Sequence, residues 1–161
     1  MSDQDSPGRK SIEYKVERCS TEEILPLRSA VLRDGTVSRN PRYGEDDSEG
    51  TVHFAVRDQK TDELVGTSTW LPRPWQGEPT AGAMQLRGMA VAHNAQGRGL
   101  GGVMLATGIQ HAKKSGAKYV WARARDSALY FYERHGFTVV GTEFIDETTG
   151  LSHHLVVQVV T

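Results

Sequence analysis

From Ile12 to Arg18 the chain alternates apolar and polar side chains, the pattern of a half-buried strand. Ser20 then offers a cap, with Glu23 three residues on in capping-box spacing. Ile24, Leu25, Leu27, Ala30, Val31 and Leu32 follow at helical intervals. Pro26 falls near the start of that helix, where proline is tolerated. Residues 34–50 are polar and rich in Gly, Asp, Ser and Arg, and predict a long loop with one broken turn. Residues 51–57 and 64–71 read as two strands of a hairpin around the polar turn DQKTDE. A Pro/Gly-rich loop over 72–82 leads into a further strand over 84–92, interrupted by Gly88, where glycine marks a bulge or a close backbone approach.

The strongest helix spans residues 100–115. Leu105, Ile109 and Ala112 form one apolar stripe and Leu100, Val103 and Met104 another, so its first turns are expected to be buried. Gly116 stands where a terminating glycine belongs. A strand over 117–124 follows, then Asp126 as N-cap of a short helix over 127–135 closed by Gly136. Residues 137–144 and 151–160 make a closing hairpin. The order is β-α-loop-β-β-β-α-β-α-β-β, an α/β layer with mixed strand directions.

Composition narrows the class. The chain has 161 residues, 37% hydrophobic and 24% charged, with 19 basic and 20 acidic side chains for a net charge of -1. That size predicts one domain over 11–161, with a polar tail over 1–10. The balanced charge offers no field for nucleic acid, no apolar run is long enough for a membrane, and a cytoplasmic location is expected. The single cysteine, Cys19, excludes an internal disulfide. Six histidines without metal-ligand spacing give no metal site.

The candidate chemistry lies in MQLRGMAVAHNAQGRGLGG, residues 84–102, where a strand and a glycine-rich turn precede the buried helix. Gly97, Gly99, Gly101 and Gly102 let backbone N–H groups approach a ligand at a helix N-terminus, which favours a phosphate. The nucleotide P-loop requires Gly-Lys-Ser/Thr, which is missing. The Gly-x-Gly-x-x-Gly spacing of a dinucleotide site is present, but the acidic residue expected about 20 positions on is replaced by the Tyr119–Trp121 region.

The turn Gln96-Gly97-Arg98-Gly99-Leu100-Gly101 resembles the Gln/Arg-x-x-Gly-x-Gly/Ala turn of the GCN5-related N-acetyltransferase superfamily. The preceding Met89-Ala90-Val91 and the later Phe131-Tyr132-Glu133-Arg134-His135-Gly136-Phe137 also resemble that family, in the same order. The resemblance implies a mixed, mostly antiparallel sheet splayed into a V, with helices on both faces. It implies acetyl-CoA as cosubstrate, without a metal, and direct acetyl transfer to a small-molecule or peptide amine. Met89, Ala90 and Val91 would bind the pantetheine arm, and a bulge near Gly88–Ala90 would open a slot for the thioester. The amides from Gln96 through Gly97, Arg98, Gly99, Leu100 and Gly101 to Gly102 would hold the pyrophosphate, and an N–H near Val91 would support the oxyanion.

Tyr132 would protonate the leaving thiolate. Family members often carry an asparagine seven residues before this tyrosine; Arg125 stands there and is read as reaching a CoA phosphate. Glu78, His53, His153 and Glu143 are the candidate bases; of the neighbours His153 and His154 only one can face the cleft. Lys113 and Lys114 form a solvated basic face or touch the nucleotide end, and the Trp70–Trp75 segment with Arg73 would shape the acceptor site or pack as a flap. Monomer and homodimer are both compatible with the sequence. The competing readings are a non-catalytic acyl-CoA sensor of the same fold and a general nucleotide-binding domain.

Overall fold

The computed structural model describes residues 13–160; the expected tail over 1–10 and Ile12 lie outside them. The elements are β1 (Tyr14–Cys19), α1 (Thr21–Leu32), β2 (Val52–Asp58), β3 (Leu64–Pro72), β4 (Ala83–Val91), α2 (Leu100–Lys114), β5 (Tyr119–Arg125), α3 (Leu129–Arg134), β6 (Thr138–Ile145) and β7 (Ser152–Val159). This is the order that the hydrophobic pattern predicts. The capping box is complete: Ser20 Oγ accepts from the Glu23 N–H at 3.2 Å, and the Glu23 carboxylate accepts from the Ser20 N–H at 3.0 Å. Pro26 sits inside α1, past its first turn, so there is no amide to close on the Glu22 carbonyl.

The seven strands form one sheet in the order β1-β2-β3-β4-β5-β7-β6. Only β4 and β5 are parallel neighbours; every other adjacent pair is antiparallel. The closing hairpin inserts its second strand, β7, beside β5 and leaves β6 at the edge. Neighbouring residues of β3 show how the layers stack. Thr69 bonds Arg28 of α1, whereas Trp70 lies against Gly108 of α2, so the two helices cover opposite faces.

The main core gathers Phe54, Trp70, Leu86, Leu105, Val120 and Val156 around that contact. A Cβ at Gly108 would come 1.8 Å from the Trp70 ring, so glycine is what lets α2 seat on the buried indole. Asp126 does not cap α3 with its side chain. A short 3-10 turn over Asp126–Ala128 intervenes, and the Asp126 carboxylate accepts a hydrogen bond from His154 Nδ1 at 2.8 Å instead. Among the described residues no helix is long and apolar enough to cross a membrane.

Candidate active site

The paired stretch of β4 and β5 is short: Ala83–Leu86 matches Tyr119–Ala122, and no paired position follows. The cause lies on the other edge of β4. Thr67 of β3 faces Ala90 and Thr69 faces Arg87, so Gly88 and Met89 together oppose Ser68 in a β-bulge. Gly88 has φ +61°, and a Cβ there would come 2.9 Å from Arg28 Nε and 3.2 Å from the Tyr43 ring. Past the bulge the Ala92 N–H donates to the Val65 carbonyl at 2.8 Å. Alternation therefore turns the polar backbone groups of Val91, and of Met89 before it, towards the parted β5 edge. The Val91 carbonyl accepts from Gln96 Nε2 at 3.0 Å, which ties the glycine turn to the end of the strand.

The four glycines of the turn divide into two jobs. Gly97 and Gly99 are both left-handed, with φ of 78°, and a Cβ at Gly99 would have nothing within 4 Å. Gly99 is the N-cap of α2, so its open side faces the helix's exposed amides. Gly101 and Gly102 serve packing instead: added Cβ atoms would meet the Phe131 ring at 3.0 Å and His135 Nε2 at 2.9 Å. The absence of a Cβ at these two positions thus makes room for α3, while Gly101 also lines the cleft.

α3 carries Tyr132 to the same place. Its ring is buried edge-on between Phe131 and Phe137, at centroid distances of 5.4 and 5.2 Å. Burial pushes the phenol well above the ordinary tyrosine range, so it stays protonated at neutral pH. Val91, Gln96, Gly101, Phe131 and Tyr132 line one arm of a cleft of about 900 Å³.

Apart from Arg73, the other arm is built from side chains that the sequence pattern does not single out. Arg28, with no exposed surface, grips Asp46 through two hydrogen bonds of 2.8 and 3.0 Å and also donates to Thr69 Oγ1 and the Pro41 carbonyl. The Tyr43 ring is sandwiched between Arg28 and Arg87, each guanidinium carbon 4.0 Å from its centroid. Glu45 accepts from Arg73 at 2.7 Å and Arg87 at 2.9 Å; these bonds, Arg73's first, hold its carboxyl below the usual range. Only the density of charged residues in the 34–50 loop hints at such an array, and spacing along the chain carries no sign of it.

The structure sorts the remaining candidates. Glu78 is spent on Tyr119 at 2.6 Å and Lys118 at 3.2 Å, away from the cleft lining. Glu143 is exposed on β6. His53 is buried among Thr21, Thr69 and the Asp46 carbonyl. His153 lines the cleft, while His154 pairs with Asp126. Arg125 lines the cleft, and its Nη2 donates to the Leu32 carbonyl, at the end of α1, at 2.6 Å. Lys113 and Lys114 sit at the far end of α2, about 20 Å from the turn by helical rise. Trp70 is core and Trp75 packs at a tilt against Trp121, so the aromatic segment is a packed flap; of its residues Arg73 reaches Glu45. Burial pushes the Cys19 thiol up to about 11, which disfavours the thiolate, and Cys19 is not part of the cleft lining.

A sequence model described as the Acetyltransferase (GNAT) family matches residues 19–137. YitI of Bacillus subtilis (strain 168), an uncharacterized N-acetyltransferase, is 26% identical over 142 residues, covering 88% of this chain and 93% of that protein. Among solved structures, FeeM, an N-acyl amino acid synthase from uncultured soil microbes, aligns with a TM-score of 0.73 at 12% identity, over 93% of each chain. An acyl-CoA N-acyltransferase from Pseudomonas aeruginosa aligns with a TM-score of 0.70 at 18% identity, over 92% of this chain and 99% of that one. At such identities the structural likeness establishes the fold.

Proposed function

The chain belongs to the acetyltransferase (GNAT) family, and on that premise we propose that it moves an acetyl group from acetyl-CoA to a primary amine by direct attack. The observation that carries this reading is the parting of β4 from β5 beside the open turn at Gly97–Gly99, with Tyr132 lining the same cleft. A thioester supplies an activated acyl carbon, and the residues present suit its carrier. The space above Gly99 and the α2 amides favour the pyrophosphate. The β4 edge past the bulge offers backbone groups of Met89 and Val91 to the pantetheine arm, with Ala90 turned to β3. Of the Val91 backbone groups only the N–H can donate, and it is the one offered to the oxyanion. One domain over 11–161 holds the whole site.

The chemistry balances with two side chains. As the amine nitrogen forms the C–N bond and the C–S bond breaks, Tyr132 gives its proton to the departing sulfur. His153 takes the proton that the amine loses: its Nδ1 is 2.9 Å from the Leu151 carbonyl, which can only accept, so Nε2 presents the lone pair. The high pKa of the buried phenol keeps Tyr132 in its acid form between turnovers.

The test is Tyr132→Phe, assayed by CoA release against a panel of amines. Turnover is expected to fall about 10²–10⁴-fold, the contribution of a general acid. The acetyl-CoA KM and the melting temperature should barely move, because no hydrogen bond of that hydroxyl to the described residues is lost. Normal turnover in the variant would return Tyr132 to a packing role. Wild-type protein that is stabilised by CoA but releases none with any amine would be a binding or sensing domain.

A further inference from the structure

Five arginines and two carboxylates line the cleft: Arg33, Arg42, Arg87, Arg123 and Arg125 against Glu45 and Asp146. Three of the arginines are matched. Arg87 pairs with Glu45 at 2.9 Å, Arg123 with Asp146 at 3.2 Å, and Arg42 with Glu22 and Asp47 outside the cleft. Arg33 and Arg125 are left without an ion-pair partner among the described residues. They meet on one atom: Arg33 Nη1 and Arg125 Nη2 both donate to the Leu32 carbonyl oxygen, at 3.1 and 2.6 Å.

Arg33 is only 5% exposed, and its Nε is held by the Asn40 carbonyl. Two guanidiniums on a single neutral acceptor repel each other, and burial raises that cost unless an anion sits between them. Asp146 does not fill the role, since its carboxylate is already taken by Arg123 and by the backbone amides of Thr148 and Thr149.

We propose that Arg33 and Arg125 form the subsite for a carboxylate on the acceptor, so that the amine substrate is an amino-carboxylic acid. The inference rests on the acyl-transfer reading above and names its acceptor class. Paired guanidinium forks suit a planar carboxylate. The acceptor, rather than the cofactor, is the source of this anion. Both arginines hang on the C-terminus of α1, whereas the phosphate-binding amides begin α2, which covers the opposite face of the sheet.

The experiment uses the intact chain with acetyl-CoA and matched acceptor pairs, each free amino acid beside its own carboxamide. For the best acceptor, kcat/KM of the acid should exceed that of the amide about 10- to 100-fold, as a charge-assisted pair supplies. Added salt should shrink that ratio. Arg125→Gln should bring it close to one, and Arg125→Lys should keep part of it. A ratio near one in the wild-type protein overturns the proposal even if no variant folds. A rise in the acetyl-CoA KM of Arg125→Gln with the ratio intact also overturns it, and assigns the guanidinium to the cofactor. Failure of every acceptor, with CoA still raising the melting temperature, sinks the transfer reading and this one with it. Turnover of amides alone leaves transfer standing and removes the carboxylate.

Discussion

The arm of the cleft proposed to take the cofactor is made of backbone: a bulge at Gly88, two left-handed glycines and the amides that open α2, all within residues 88–102. The acceptor arm is made of side chains drawn from α1, the 34–50 loop, β4 and β5. Its Arg125–Leu32 contact joins positions 93 residues apart. The first arm recognises a ligand by geometry that a few neighbouring residues set. The second holds buried charges that each need a partner from elsewhere. Damage to the first arm should therefore cost binding or rate with the fold intact, while stripping a buried charge of its counter-ion in the second should cost the fold.

The largest test of that contrast is Asp46→Ala. It strands the fully buried Arg28 without its counter-ion and should lower the unfolding free energy by about 3–5 kcal/mol. Replacing Arg28 by Met in the same protein should restore part of the loss. A single variant as stable as the wild type in urea would show that the pair is solvated, and the contrast would fail.

Next comes Gly99→Glu beside Gly99→Gln. Both strain a left-handed position to a similar degree, but only Glu adds charge to the open space above α2. CoA affinity should fall about 10-fold further with Glu than with Gln, while the two melt together. Equal CoA affinity would move the pyrophosphate elsewhere.

The smallest effect concerns His53, which is buried against Thr21, Thr69 and the Asp46 carbonyl. Burial lowers its pKa from the ordinary 6.5, against the pull of the Asp46 carbonyl and carboxylate. The unfolded chain then binds a proton below 6.5 that the folded chain refuses, so stability is present above that pH and lost as pH falls. The wild type should lose more stability than His53→Gln between about pH 7 and about pH 5. Parallel losses would mean that His53 does not titrate with folding.

Local patterning made most of the fold legible. Alternation and 3.6-residue periodicity, the Ser20–Glu23 box and the Gly116 terminator each depend on residues a few positions apart, and all of these elements form. Boundaries moved by one or two residues because the last pairing partner lies on another strand. Asp126 illustrates the limit. Its position after a strand suggests a cap, yet His154, 28 residues on, captures the carboxylate first. Glycine is ambiguous in the same way. Gly99 and Gly101 read alike in a row of glycines, and only the packing of Phe131 shows that one faces open space and the other a ring.

The sequence by itself determined the element order, the glycine turn before α2 and the family, because those features are encoded by contiguous residues acting through the backbone. Tertiary structure alone decided which charges face one another. The Arg28–Asp46 grip, the Tyr43 sandwich and the Arg33–Arg125 meeting on Leu32 arise where the sheet and α1 bring remote segments together. A buried charge is stable only beside a partner, and no spacing along the chain reveals which partner the fold will supply.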